Sequence, residues 1–285
     1  IKSSAASDVY KRQGKGSGNA DRSQNKRDHV KAPGEYAKIM LPELTFPYLI
    51  PGQEVLLDDG KIHLKIVEKA ENVTENGGEN TQEKRYFAKV LWGGLLKSRK
   101  SAALPGAKIY PPTLTNSDLA NIKIAKEMGV TGVMQPFVRD HSDLECVKEA
   151  LREAGAEDIR LFAKIENMDG VRKLEKLLPA ADEIVIARGD LGNAVHLWDL
   201  PGVQRQISEK CRAAGKPFMV VTQMLASMER SPVPTRAEVN DIFHAVMDGA
   251  ASIMVTGETA VGDYPVEVIR YMVNTVRSAE KEENR

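Results

Sequence analysis

The chain has 285 residues, 42% of them apolar, and its Lys plus Arg count equals its Asp plus Glu count at 40 each. A formal net charge of zero excludes whole-molecule attraction to nucleic acid or anionic lipid, so any anion site has to be local. No apolar run reaches the ~18–20 residues that a membrane helix needs and no secretory h-region is present. The two cysteines, Cys146 and Cys211, fall on helical patterns and are expected to be buried free thiols of a soluble, cytoplasmic protein.

Residue 1 is Ile, and residues 1–34 read as a non-native leader followed by a polar, Gly/Ser/Asn-rich disordered segment. Residues 35–50 read as a connecting segment. From 51 to 106 the pattern is β. Short strands are expected at Glu54–Asp58, Lys61–Val67 and Tyr86–Leu91, with a hairpin turn at Asp59-Gly60, a loop at Asn76–Asn80 and a close at Leu104-Pro105-Gly106.

From 107 to 285 the period changes, and helices alternate with short apolar runs. The runs are Val130–Phe137, Ile159–Ile165, Glu183–Ala187, Pro217–Thr222 and Ser252–Thr256. Helices are expected from near Ser117 and from near Ser142, on the stripes Val203/Ile207/Cys211/Ala214 and Val239/Ile242/Phe243/Val246, and on Val171/Leu174/Leu177/Leu178. Gly129, Gly155, Gly215 and Gly249 suit left-handed helix ends. Strands alternating with helices imply a parallel sheet, and unbroken apolar strands imply cover on both faces. The choice is a doubly wound sheet or a (β/α) barrel; no Gly-x-Gly-x-x-Gly follows the first strand, which disfavours the dinucleotide-binding version.

Polar residues recur at the C-terminal ends of successive runs: Lys164 and Glu166, Arg188-Gly189-Asp190, Thr222-Gln223, and Thr256-Gly257-Glu258-Thr259. In a parallel barrel these ends converge on the face where active sites form. Lys164 and Glu166, two apart, point to one side of a strand. Alone they could be a structural ion pair; with Asp190 one strand on, the two carboxylates suit Mg²⁺, which takes few protein oxygens, and leave Lys164 for a phosphoryl group. Gly189 allows close approach to the backbone. The Thr222 hydroxyl could cap a helix or relay a proton, and Glu258 is expected to be structural. His29, His63, His141, His196 and His244 show no metal-ligand spacing.

Phe162-Ala163-Lys164-Ile165-Glu166-Asn167, Ile186-Ala187-Arg188-Gly189-Asp190-Leu191-Gly192, Thr222–Met228, Pro234-Thr235-Arg236-Ala237-Glu238 and Gly257-Glu258-Thr259-Ala260 together resemble the pyruvate kinase family in order and spacing, from about Leu41 to the end. The resemblance implies a (β/α)8 TIM-type barrel, incomplete here with five strand–helix units in view, and an inserted small β-barrel lid domain. It implies phosphoryl transfer from phosphoenolpyruvate to ADP, giving pyruvate and ATP. It also implies Mg²⁺ or Mn²⁺ held by Glu166 and Asp190, Lys164 on the migrating phosphoryl, and a carboxylate site shaped by Ala187, Arg188, Gly189 and Asp190. Thr222 would lie where the enolate carbon gains its proton. Lys100, in Ser98-Arg99-Lys100, would reach the nucleotide. A homo-oligomer is implied for the full-length parent, with Arg236 in a region near a subunit contact.

The sequence departs from the family pattern. The Asn-Phe-Ser-His-Gly and Asp-Thr-Lys-Gly segments of the first three barrel strands, which supply the K⁺ site, are not found. Gln135-Pro136-Phe137 stands where the family tends to have Ser before Phe, and Asn193-Ala194 follows Asp-Leu-Gly. The chain stops near where a regulatory domain usually begins. As it stands it is therefore expected to be inactive or a poor catalyst. The alternatives are a metal-dependent pyruvate or phosphoenolpyruvate aldolase or lyase, and a non-catalytic paralogue.

Overall fold

The computed structural model describes residues 37–58, 60–70, 84–98, 100–107 and 109–283. The leader, the Asn76–Asn80 loop, and Asp59 and Arg99 lie outside the described residues. The chain divides into two compact units, residues 1–111 and 112–285.

The first unit is a four-stranded antiparallel sheet of order β3-β2-β1-β4, built from β1 (Glu54–Leu57), β2 (Ile62–Lys69), β3 (Tyr86–Trp92) and β4 (Ala102–Ala103). Strand alternation sends Val55 and Leu57 of β1, and Ile62, Leu64 and Ile66 of β2, to one face. There they pack with Leu49, Ala102 and Leu104. Leu41, Phe46 and Tyr48 lie against the same cluster, so the segment before β1 belongs to this core. Part of it, Glu43–Tyr48, is a 3-10 helix. Asp58, expected to end a strand, instead turns out of it with a φ of 50°.

The second unit is a five-stranded, all-parallel sheet in sequential order: β5 (Gly132–Gln135), β6 (Arg160–Ile165), β7 (Glu183–Ala187), β8 (Phe218–Val221) and β9 (Ser252–Met254). All five expected runs are strands. The main connecting helices are α1 (Asn116–Ala125), α2 (His141–Glu153), α3 (Met168–Arg172), α4 (Leu174–Leu177), α5 (Arg188–Ala194), α6 (Leu200–Ala213) and α7 (Arg236–Met247). After β9 come α8 (Gly257–Ala260) and α9 (Pro265–Glu283).

β7 is buried at every position, and its alternation divides the core in two. Ile184 and Ile186 join the helix-facing cluster with Leu161, Ala163, Ile165, Phe218 and Val220. Val185 and Ala187 face the other way and pack with Val221, Phe162, Met219 and Met254. Each fully buried Ile or Leu contributes roughly 1.5–3 kcal/mol over its exposed state, which explains why this central strand carries no polar residue after Glu183.

Gly129, Gly155, Gly215 and Gly249 all take the left-handed conformation that ends a helix. Pro234-Thr235-Arg236-Ala237-Glu238 is a reciprocal cap: Thr235 Oγ1 accepts from the Glu238 N–H, and Glu238 accepts from the Thr235 N–H at 2.8 Å. Glu238 also accepts from the Ser227 hydroxyl at 2.6 Å, stitching the 3-10 turn Ala226–Glu229 to α7.

Two further expectations need correction. The Val171/Leu174/Leu177/Leu178 stripe is not one helix: Lys173 leaves the helical region (φ −99°, ψ 9°) and separates α3 from α4, while Val171 and Leu174 both stay in the core. Cys146 is exposed, not buried. It lies on α2, but the buried stripe there is Leu144, Val147 and Leu151, and a helix turns roughly 100° per residue, so Cys146 faces away. Cys211 is buried as expected, and burial pushes its thiol up to about 12.

Candidate functional site

Lys164 lies in β6 and Glu166 follows its last residue, Ile165, on the side shared by Phe162, Val185 and Met219. The β6–β7 register pairs Lys164 with Val185 and Ile165 with Ile186. Continued by one residue, it sets Glu166 beside Ala187, which pairs in turn with Val221 on β8. Three adjoining strand ends therefore carry Lys164 and Glu166, then Arg188, Gly189 and Asp190, then Thr222 and Gln223. The parallel direction of the strands makes this one edge of the sheet.

The Lys164 ammonium lies 2.7 Å from Glu166 Oε1; the lysine is one-quarter exposed, and the carboxylate is essentially inaccessible at 1%. Glu166 Oε2 accepts the backbone N–H of Phe137 at 2.6 Å. Oε1 is buried, and the Lys164 ammonium is its partner among the described residues. A carboxylate oxygen has two lone pairs, so beside one ammonium it keeps acceptor capacity of the kind a hard divalent cation uses. Asp190, half-buried in the first turn of α5, is the next carboxylate along the edge. Among the described residues no group of three or more His, Cys, Asp or Glu forms a metal cluster. Mg²⁺ and Mn²⁺ bind through few protein oxygens, so Glu166 with one further carboxylate has the donor chemistry such an ion takes.

Arg188, Gly189 and Asp190 form the first turn of α5, and Ala187 stands at its N-cap position without a side-chain cap bond. Thr222 is joined to this turn twice. Its Oγ1 accepts the Gly189 N–H at 2.8 Å, and its carbonyl accepts from Arg188 Nη2 at 2.8 Å. The hydroxyl thus anchors to α5 and does not cap a helix after β8. Thr222 and Gln223 both have positive φ, 74° and 54°, a conformation that costs a side-chain-bearing residue roughly 1–2 kcal/mol. The Arg188 guanidinium also contacts Met224 Sδ at 2.9 Å and pairs with Asp241 on α7 at 2.7 Å. A Cβ at Gly189 would lie 3.6 Å from Thr222, an ordinary contact, so packing within the chain does not demand glycine there.

Glu258 is buried and accepts backbone N–H groups of Thr256 (2.7 Å) and Leu225 (3.3 Å), the structural role expected of it. Lys100 belongs to the first unit, where its ammonium lies 2.8 Å from Asp58 Oδ1.

Sequence reasoning missed two contributors. Phe137, whose amide holds Glu166, follows a proline and takes a φ of 53°. Pro136 signalled a turn, but the left-handed position after it favours Gly or Asn, so a Phe there gave no sign of its conformation. Asp241 had no such signal: its partner Arg188 is 53 residues away, and nothing in the helical pattern distinguishes it from a solvated acid.

Residues 24–269 match the family model described as pyruvate kinase, barrel domain. Among curated proteins, the chain is 38% identical over 230 residues to a pyruvate kinase of Bacillus licheniformis, covering 81% of this chain and 38% of that protein. It is 40% identical over 233 residues to the pyruvate kinase of Geobacillus stearothermophilus (80% and 38%), and 35% identical over 234 residues to that of Clostridium acetobutylicum (82% and 47%). The chain thus spans less than half the length of these relatives.

Proposed function

The chain belongs to the pyruvate kinase family, and from that membership we propose that it carries the metal- and phosphoryl-binding edge of a site that moves a phosphoryl group from phosphoenolpyruvate to ADP. The observation that carries this reading is the Lys164–Glu166 pair at the end of β6 set along one sheet edge from Arg188, Gly189 and Thr222. Glu166 and Asp190 would hold Mg²⁺ or Mn²⁺. When bound, that ion supplies charge stabilisation to the phosphoryl and enolate oxygens.

Lys164 is the mobile element of the pair. With substrate bound, its ammonium can turn from Glu166 to the migrating phosphoryl, whose charge spreads over its oxygens and is stabilised by a fixed cation. The bond from phosphorus to the enol oxygen breaks as an ADP oxygen takes the phosphoryl group. The enolate then gains a proton at carbon to give pyruvate. Thr222 Oγ1 uses a lone pair on the Gly189 N–H and keeps its own hydrogen. It would pass that proton to the carbon while taking one from a solvent water, which leaves Thr222 neutral and a hydroxide to be neutralised by bulk solvent. Ala187, Arg188 and Gly189 shape the pocket for the substrate carboxylate. By likeness to the family, the first unit would be its lid domain and Lys100 its nucleotide-contacting lysine. The setting would be cytoplasmic glycolysis, in a barrel completed to the family's closed form and a homo-oligomer.

The test is a Mn²⁺ titration of the purified chain with and without phosphoenolpyruvate, run beside a coupled assay for ATP formation and an assay for retro-aldol cleavage of 2-keto acids. Tighter Mn²⁺ binding with phosphoenolpyruvate, and not with equal sulfate, is the expected result. Metal binding unmoved by phosphoenolpyruvate, together with 2-keto acid cleavage, overturns the kinase reading in favour of a lyase.

A further inference from the structure

We infer that the Phe137-Val138 segment and Asn167 form a strap that fixes Glu166 in its metal-facing posture, making Asn167 a positioning residue for the cation site. The inference rests on the reading of Glu166 as a metal ligand. A free carboxylate at a strand end can rotate and present either oxygen. Here Oε2 is tied at 2.6 Å to the Phe137 amide, so Oε1 is the oxygen left beside Lys164.

The strap is over-determined. Pro136 ahead of Phe137 restricts the turn, and Phe137 is held at a φ of 53°, unfavourable for a bulky side chain. What maintains it lies on both sides of Glu166. The Val138 N–H donates to the Lys164 carbonyl at 3.3 Å, and the Asn167 side-chain amide donates to the Val138 carbonyl at 3.1 Å. The Val138 side chain is fully buried. Asn167 is itself fixed, because its Oδ1 caps α3 by accepting the Gly170 N–H at 2.9 Å. Gly170 completes the fit: a Cβ there would fall 2.7 Å from the Val138 carbonyl oxygen, too close for any side chain. Asn167 thus joins the helix cap to the strap, and the strap to the carboxylate. This accounts for the asparagine that follows Lys-Ile-Glu, which carries no role in the proposed chemistry itself.

The experiment is a Mn²⁺ titration of the full chain, with free Mn²⁺ read by electron paramagnetic resonance, on the parent and on Glu166→Gln, Asn167→Ser and Gly170→Ala. Serine keeps an oxygen able to cap α3 but is too short to reach the Val138 carbonyl, so the fold is expected to survive. Deuterium exchange at the Phe137 amide gives a metal-free readout. The expected results are loss of binding in Glu166→Gln, and about tenfold or greater weakening in Asn167→Ser and Gly170→Ala. Faster exchange at Phe137 is expected in all three. If Glu166→Gln abolishes binding while the other two bind as tightly as the parent, with Phe137 still protected, the strap inference fails and the metal reading stands. If Glu166→Gln binds like the parent, both fall.

Discussion

The ammonium of Lys164, in β6, and Oε1 of Glu166, one residue past the strand's end, face each other at 2.7 Å because residues two apart on extended chain share one side. The carboxylate is nearly inaccessible whereas the lysine is one-quarter exposed, so the lysine is the partner able to leave. Lys164→Met would strand the buried carboxylate. Breaking a fully buried pair costs ~3–5 kcal/mol, and partial exposure of Lys164 lowers the expected loss to roughly 2–3 kcal/mol. Chemical-denaturant unfolding checks this. Because a divalent cation can replace the lost positive charge at Oε1, Mg²⁺ is expected to restore part of the stability of Lys164→Met, and none of that of a Lys164→Met/Glu166→Gln double variant.

Asp241 is expected to matter well beyond its surface-like position on α7. It fixes the Arg188 guanidinium, which holds the Thr222 carbonyl and thereby the strained Thr222-Gln223 pair. Asp241→Asn should cost about 1–2 kcal/mol, the range of a partly exposed charge-assisted hydrogen bond. Proteolysis or deuterium exchange should show loosening at 222–224. An exposed acid such as Glu127, changed to Gln, is the control; equal effects of the two substitutions would refute the role given to Asp241.

Asp143 provides the pH prediction. Burial alone would raise its carboxyl, but hydrogen bonds from Arg139 and Thr113 outweigh burial and hold it at about 2, against an ordinary 3.8. The Arg139 guanidinium lies 2.5 Å and the Thr113 hydroxyl 2.6 Å from Oδ1. A carboxyl depressed on folding adds stability that is complete above its unfolded value and is lost as the pH falls toward the folded one. The parent should therefore lose roughly 2 kcal/mol from this group between about pH 4 and pH 2. Asp143→Asn should be less stable at neutral pH and lack that part of the acid dependence. Unfolding curves across the acid range that run parallel for the two proteins would exclude the assignment.

The sequence by itself determined the strand–helix alternation, the five parallel strands, the glycine helix ends and the row of Lys164, Glu166, Arg188, Asp190 and Thr222 at strand ends. These are consequences of local periodicity and of the rule that residues two apart on a strand share a face, and each acts within a few residues. Tertiary structure alone decided the break between α3 and α4, the exposure of Cys146, the Phe137 amide on Glu166 and the Asp241 carboxylate on Arg188. Those depend on which backbone groups and charges distant segments bring together. The free energy of such a contact is set by burial and partner geometry, quantities that no stretch of sequence contains until the chain has closed around it.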